Sequence, residues 1–264
     1  MKKIITSVLL GIIVFTSCQK QTKKEDVSKE IKNEKKATTF SENIEIAHKK
    51  TEFLAHEAIQ FNALIEFGGN EIFNATITIS TSSDLAKITY KNGDEIYVNK
   101  ENIFVSPSLE NNKGVRFHAY TWGYFFLYPY KLSDKGTKWN YDFKTNEKEV
   151  NFEVAKLTFE ANIGDAPDDW YVVYSNKKTQ LLEHVAYIVT LGKTLEEAEK
   201  DPHAIKYENY TQIDGIPFAK NWSFYSWNNE DGLTEKIGNA KITDIHFING
   251  FRNNFTIPKN YLKK

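Results

Sequence analysis

The 264-residue sequence predicts a mainly β fold: an antiparallel incomplete barrel (half-barrel) of about eleven strands, with an N-terminal helix and a helical aromatic lid. Three observations lead there. Most of the chain beyond residue 57 alternates apolar and polar side chains with period two. Short turn sequences separate the runs, among them Gly68-Gly69-Asn70, Asn92-Gly93-Asp94 and Asp214-Gly215, and Asn-Gly is the strongest two-residue hairpin signal. One segment, residues 116–130, breaks the alternation with eight aromatic side chains in fifteen positions.

The first element is not part of the fold. Met1-Lys2-Lys3 is a basic start and residues 4–15 are a mostly apolar stretch of twelve. As a helix that stretch spans about 18 Å, too short for a hydrocarbon core of about 30 Å. It therefore reads as an export signal over residues 1–17. Thr16 and Ser17 are small, and Cys18 is the single cysteine of the chain. Phe15-Thr16-Ser17-Cys18 resembles the bacterial lipobox, with Phe15 where Leu is usual. That resemblance implies that Cys18 carries the lipid and becomes the mature N-terminus. One cysteine also excludes an intrachain disulfide and a thiolate metal cluster.

Residues 19–40 hold seven lysines, four acids and few apolar side chains. They bury too little to offset the entropy of ordering, so residues 18–40 read as a lipidated cysteine on a solvated tether. The whole chain has a net charge of −1, yet residues 41–264 carry about −6. Nothing in that balance calls for nucleic acid. With 41% apolar and 14% aromatic residues the chain can bury a core. No interdomain linker or internal repeat interrupts residues 41–264, which read as one domain.

Within it, residues 41–53 predict a helix opened by a Ser41 cap, with Ile44, Ala47 and Leu54 at helical spacing. Strands follow at 58–67, 71–80, 85–90, 95–99 and 103–105. After the aromatic segment they resume at 138–143, 150–161, 170–175, 181–190, 205–213, 216–227 and 236–248. Residues 192–203 form a short polar helix, with Thr194 and Glu197 at capping-box spacing.

In the aromatic segment, Phe117, Tyr120, Tyr124 and Leu127 or Tyr128 fall on one helical face, which should pack on the sheet. Trp122, Phe125, Phe126 and Tyr130 lie off that stripe, so the helix is apolar almost all round and needs cover on two sides. Two readings stay open: a hydrophobic core plug, or a lid whose off-stripe rings line a ligand cavity.

Gly68-Gly69, the Tyr-Phe-Phe-Leu-Tyr-Pro run at 124–129 and the Gly-Asp-Ala-Pro-Asp-Asp-Trp-Tyr run at 164–171 are distinctive. So are Ile205-Lys206-Tyr207 and the Ile-Asp-Gly-Ile-Pro run at 213–217. Together they resemble a family of Bacteroidetes lipoproteins with a domain of unknown function, over roughly residues 41–262. The wider likeness is to the LolA/LolB-type lipoprotein carrier fold. The resemblance implies a half-barrel closed by helices around an acyl chain, on a protein anchored to the outer membrane of a Gram-negative bacterium. On the lid reading the ligand-binding residues are the off-stripe Trp122, Phe125, Phe126 and Tyr130.

No nucleophile elbow, dinucleotide fingerprint, phosphate loop or zinc-protease motif occurs in the sequence. No cofactor is expected, and neither is a metal. His48 and His56 are read as surface polarity across a helix end, and His184 as solvent-facing or hydrogen-bonded in its strand. Asp165, Asp168, Asp169 and Trp170 form the densest polar loop. It is read as a structural turn, with Pro167 at a first helical position, against a ligand-contacting alternative; the twelve-residue calcium loop is missing. A glycan-binding protein that stacks sugars on exposed Trp122, Trp222 or Trp227 is the competing reading. A hydrolase with a dispersed site is the third.

Overall fold

Apolar alternation in long strands dictates a sheet, and in the computed structural model all of it gathers into one. The structure describes residues 37–146 and 151–264; the export signal, Cys18 and nearly all of the tether lie outside them. The strands are β1 (Ala58–Phe67), β2 (Asn70–Ser80), β3 (Leu85–Tyr90), β4 (Glu95–Asn99), β5 (Asn102–Val105), β6 (Thr137–Asn140) and β7 (Phe152–Phe159). They continue with β8 (Tyr171–Asn176), β9 (Leu182–Tyr187), β10 (His203–Ile213), β11 (Ile216–Asn228), β12 (Gly232–Ile248) and β13 (Leu262–Lys263). Their spatial order is β13-β5-β4-β3-β2-β1-β12-β11-β10-β9-β8-β7-β6, antiparallel throughout. The sheet is thus two meanders joined where β1 meets β12, open between β13 and β6. Thr38–Lys264 form one compact unit.

The helices are α1 (Phe40–Ala47), α2 (Lys50–Leu54), α3 (Val115–Leu127), α4 (Leu195–Ala198) and α5 (Phe251–Asn254). The single helix expected at 41–53 is in fact two, broken at Lys49, whose φ is +58°. The break lets the His48 ring turn inward, where its Nε2 accepts the Leu182 N–H at 3.0 Å. The N-cap is Thr39, not Ser41, in a complete capping box with Glu42. Thr194 and Glu197 form the capping box expected for α4. Two further corrections concern the C-terminus: α5 and the two-residue β13 are too short to leave a periodic signal.

Both faces of the sheet are covered in part. The main core joins α1, α2 and α3 to the odd-numbered side of β1 (Ile59, Phe61, Ala63, Ile65) and its neighbours. A smaller core on the other face collects Trp170, Val172, Tyr174, Ala186, Ala198, Ala204 and Trp227. His184 falls under that second cover. It is 1% exposed and stacks on Tyr174 at 3.9 Å, with Phe152 edge-on at 5.2 Å. The solvent-facing expectation fails because a strand read alone does not show what crosses its outer face.

Where β12 joins the two meanders, Gly238 pairs with Phe67 and with Phe224. A Cβ there would lie 2.5 Å from the Glu66 carbonyl oxygen. Gly238→Ala should therefore cost about 1–3 kcal/mol through forced backbone shifts. A thermal melt should show the midpoint lower by about 2–4 °C per kcal/mol.

Candidate functional site

The site is the space between α3 and the sheet. Helix α3 is covered through Val115, Ala119, Trp122, Gly123 and Phe126, a helical stripe in which the two small residues let the backbone approach the strands. A Cβ on Gly123 would already stand 3.1 Å from Ile79 Cδ1. The expected face assignment holds only at the C-terminal end of the helix, where Leu127 and Tyr128 are buried and Tyr124 meets Tyr171 of β8 at 5.9 Å. Trp122, Phe125, Phe126 and Tyr130 are at most 5% exposed, while Phe117, Tyr120 and Tyr124 are only partly buried. The sequence reading followed the large rings; the helix docks by its small residues.

Each buried ring has a defined seat. Phe126 stacks on Phe61 at 3.8 Å and faces Phe218 at 5.4 Å. Trp122 meets Phe73 at 5.8 Å and Phe224 at 6.2 Å, and its indole N–H donates to His118 Nδ1 at 2.9 Å. Phe125 meets Tyr187 at 5.0 Å. Its carbonyl accepts the Tyr207 hydroxyl at 2.9 Å. Tyr130, in a 3₁₀ turn over Tyr128–Tyr130 where α3 was expected to continue, stacks on Phe53 at 3.8 Å.

The two ends of α3 are held differently. At its C-terminal end, Glu45 of α1 accepts from the Ser133 N–H at 2.8 Å, the Ser133 hydroxyl at 2.9 Å and Lys50 Nζ at 2.7 Å. At its N-terminal end, Arg116 forks onto Asp165 of the β7–β8 loop and lies over the Tyr120 ring at 5.6 Å. The second pair is solvent-accessible, so it contributes little stability.

The three loop carboxylates diverge. Asp165 holds Arg116, and Asp168 is exposed. Asp169 is buried and accepts from the Thr190 N–H at 2.8 Å and hydroxyl at 2.7 Å. Burial nonetheless raises its pKa above the usual carboxylate range. Pro167 opens a turn, with Asp169 N–H donating to Ala166 O, and not a helix. Trp170 packs in the outer core under Lys156 Nζ, 4.5 Å from its ring. Among the described residues no group of three or more His, Cys, Asp or Glu side chains can hold a metal.

His48 is the residue the sequence reading misplaced most. It is 1% exposed inside the main core, because the helix break turns it inward. The His56 ring stacks on Phe247 at 3.6 Å, while His48 turns into the core. With Nε2 accepting, the His48 proton sits on Nδ1, which is turned to the Pro217 carbonyl. Burial lowers the His48 pKa to about 3, against a smaller opposing effect of the Pro217 carbonyl. Next to it lies a void of about 10 Å³ lined by His48, Phe126, Tyr130, Tyr207, Tyr210 and Phe218.

An open antiparallel half-barrel with a helix laid across its apolar face defines the LolA-type fold. The chain superposes on a LolA superfamily protein from Nitrosomonas europaea with a TM-score of 0.52 at 11% identity, over 84% of this chain and 99% of that one. A putative outer membrane lipoprotein-sorting protein domain from Vibrio parahaemolyticus gives 0.46 at 13% identity, over 84% and 96%. A DUF1329 family protein from Desulfovibrio piger gives 0.41 at 12%, over 81% and 95%. No protein-family model and no curated protein matches the chain by sequence.

Burial also sets a pH dependence. His48 and His184 are both lowered to about 3, against about 6.5 in the unfolded chain. Their contribution is fully present above pH 6.5 and is lost as pH falls towards 3, because the unfolded state takes up protons first. Stability in urea should fall by roughly 1.4 kcal/mol per pH unit and per histidine across that window. His184→Phe should remove about half of the slope.

Proposed function

We propose that the protein is a lipid-anchored, non-enzymatic carrier or receptor that holds a hydrophobic ligand, an acyl chain or similar lipid, between α3 and the sheet. The observation that carries this reading is the filling of the half-barrel. A thirteen-residue helix with aromatic side chains on every side occupies the hollow, and the void beside His48 and Tyr130 measures about 10 Å³. Such a helix stands where a ligand would, so its displacement exposes a ring-lined apolar trough. Its attachments fit that motion: a dense hydrogen-bonded end at Glu45 and Ser133, and a single accessible ion pair at Arg116. Trp122, Phe125, Phe126 and Tyr130 then contact the ligand from the helix side.

No helix among the described residues is long and apolar enough to cross a membrane. Attachment to the outer membrane is proposed to run through the lipidated Cys18. Replacing Cys18 by Ala should move the protein to the soluble fraction, and palmitate labelling of that variant would overturn the assignment.

The glycan reading loses its stacking platforms, because Trp122, Trp222 and Trp227 are at most 6% exposed. One observation keeps it in second place. A polar groove of about 430 Å³ crosses the outer face of β1, β12, β11 and β10, lined by Glu66, Glu208, Asn221, Asn239 and Lys241.

The test is uptake of a fluorescent fatty acid by the full chain. Arg116→Ala should cost under about 1 kcal/mol of stability yet speed uptake several-fold, read by stopped-flow fluorescence. Phe126→Ala, which opens a cavity between Phe61 and Phe218, should cost about 3–5 kcal/mol. No uptake by either wild type or Arg116→Ala leaves α3 a core plug.

A further inference from the structure

Apolar interiors rarely keep polar atoms without partners, since each costs its full desolvation. One such atom borders the void beneath α3. Tyr130 Oη is buried and makes no hydrogen bond, and burial holds its pKa well above the usual phenol range. The His48 ring meets Tyr130 edge-to-face with centroids 6.2 Å apart, and its Nδ1–H is turned to the Pro217 carbonyl. The other neighbours are committed too: Tyr210 donates to the Leu182 carbonyl at 2.7 Å, Tyr207 to the Phe125 carbonyl at 2.9 Å. The remaining capacity at the void is the Tyr130 hydroxyl, which donates or accepts. It matches an uncharged oxygen, such as an ester or amide carbonyl or an alcohol. It does not match a carboxylate, since no cationic side chain lines the void.

The position of this hydroxyl gives it direction. It lies at the firmly held end of α3, fourteen residues from Arg116 at the accessible end. A helix of that length spans roughly 20 Å, comparable to a common fatty acyl chain. Resting on the carrier reading above, we propose that the ligand is a neutral amphiphile bound with its polar group inward. Its oxygen would sit against Tyr130 Oη beside the His48 ring, and its chain would run along the trough towards the Arg116–Asp165 pair. Tyr130 thus acts as the specificity residue of the site, against a plain hydrocarbon grip with the polar group left in solvent.

The experiment measures binding of two probes to the full chain: diphenylhexatriene, a hydrocarbon, and the methyl ester of its propionic acid derivative. Wild type should bind the ester about tenfold more tightly, the worth of one neutral hydrogen bond. Tyr130→Phe keeps the stack on Phe53 and removes only the hydroxyl. It should abolish most of that preference, leave the hydrocarbon affinity unchanged and not lower the melting temperature. Tyr128→Phe is the control: its hydroxyl is also buried without a partner, but it does not line the void, so the preference should persist. Equal wild-type affinity for both probes, or equal loss of both in Tyr130→Phe, overturns the inward orientation while the carrier reading stands. Binding of neither probe by wild type overturns both.

Discussion

An open sheet cannot satisfy its own inner face, and this constraint governs the molecule. Closure into a barrel would bury the inward side chains of every strand against one another. Here β13 and β6 end the sheet without meeting, so Phe61, Phe73, Phe218 and Phe224 need a cover from elsewhere in the chain. Helix α3 supplies it, and its peculiarities follow from the task. It is apolar on most sides because the half-barrel wraps around it. It carries Gly123 because a side chain there would press on Ile79 of β2.

The seat of α3 is built largely of rings, which ties stability to ligand chemistry. Aromatic side chains bury large areas and pack in few geometries, so Phe126 between Phe61 and Phe218 defines a seat. Tyrosines add hydroxyls that must be satisfied. Tyr207 and Tyr210 use carbonyls left open by α3 and β9, whereas Tyr130 finds none. An interior meant only as a plug would be served as well by phenylalanine at Tyr130.

Much of the sheet was legible in the sequence because strand alternation and turn chemistry are local. Gly68-Gly69 and Asn92-Gly93 mark hairpins directly, and Thr194 with Glu197 marks a helix start. The half-barrel as a class follows from the number of successive strands without a crossover. What was not legible depends on partners distant in sequence. Arg116 and Asp165 were each noticed within their own segments, but nothing local links residues so far apart. The orientation of α3 was misread because rings outnumber small residues there, although Ala119 and Gly123, four apart, were the available signal. His48 left no local trace at all: its burial comes from Leu182, on a strand that the helix reaches only in the folded chain.

The pairing of β1 with β12 carries a consequence for how such a chain comes into being. Ala58 is matched with Ile248, and the ladder runs on to Phe67 with Gly238. Each of these contacts closes a loop of well over a hundred residues, the kind of long-range pairing that makes folding slow. A chain made N-terminus first has β1 and β2 available long before β12. Through that interval β1 presents a bare apolar edge, open to the wrong partner. The final thirty or so residues therefore act as a clasp: until they arrive, the two meanders are separate unfinished sheets, and the hollow that α3 must fill does not yet exist.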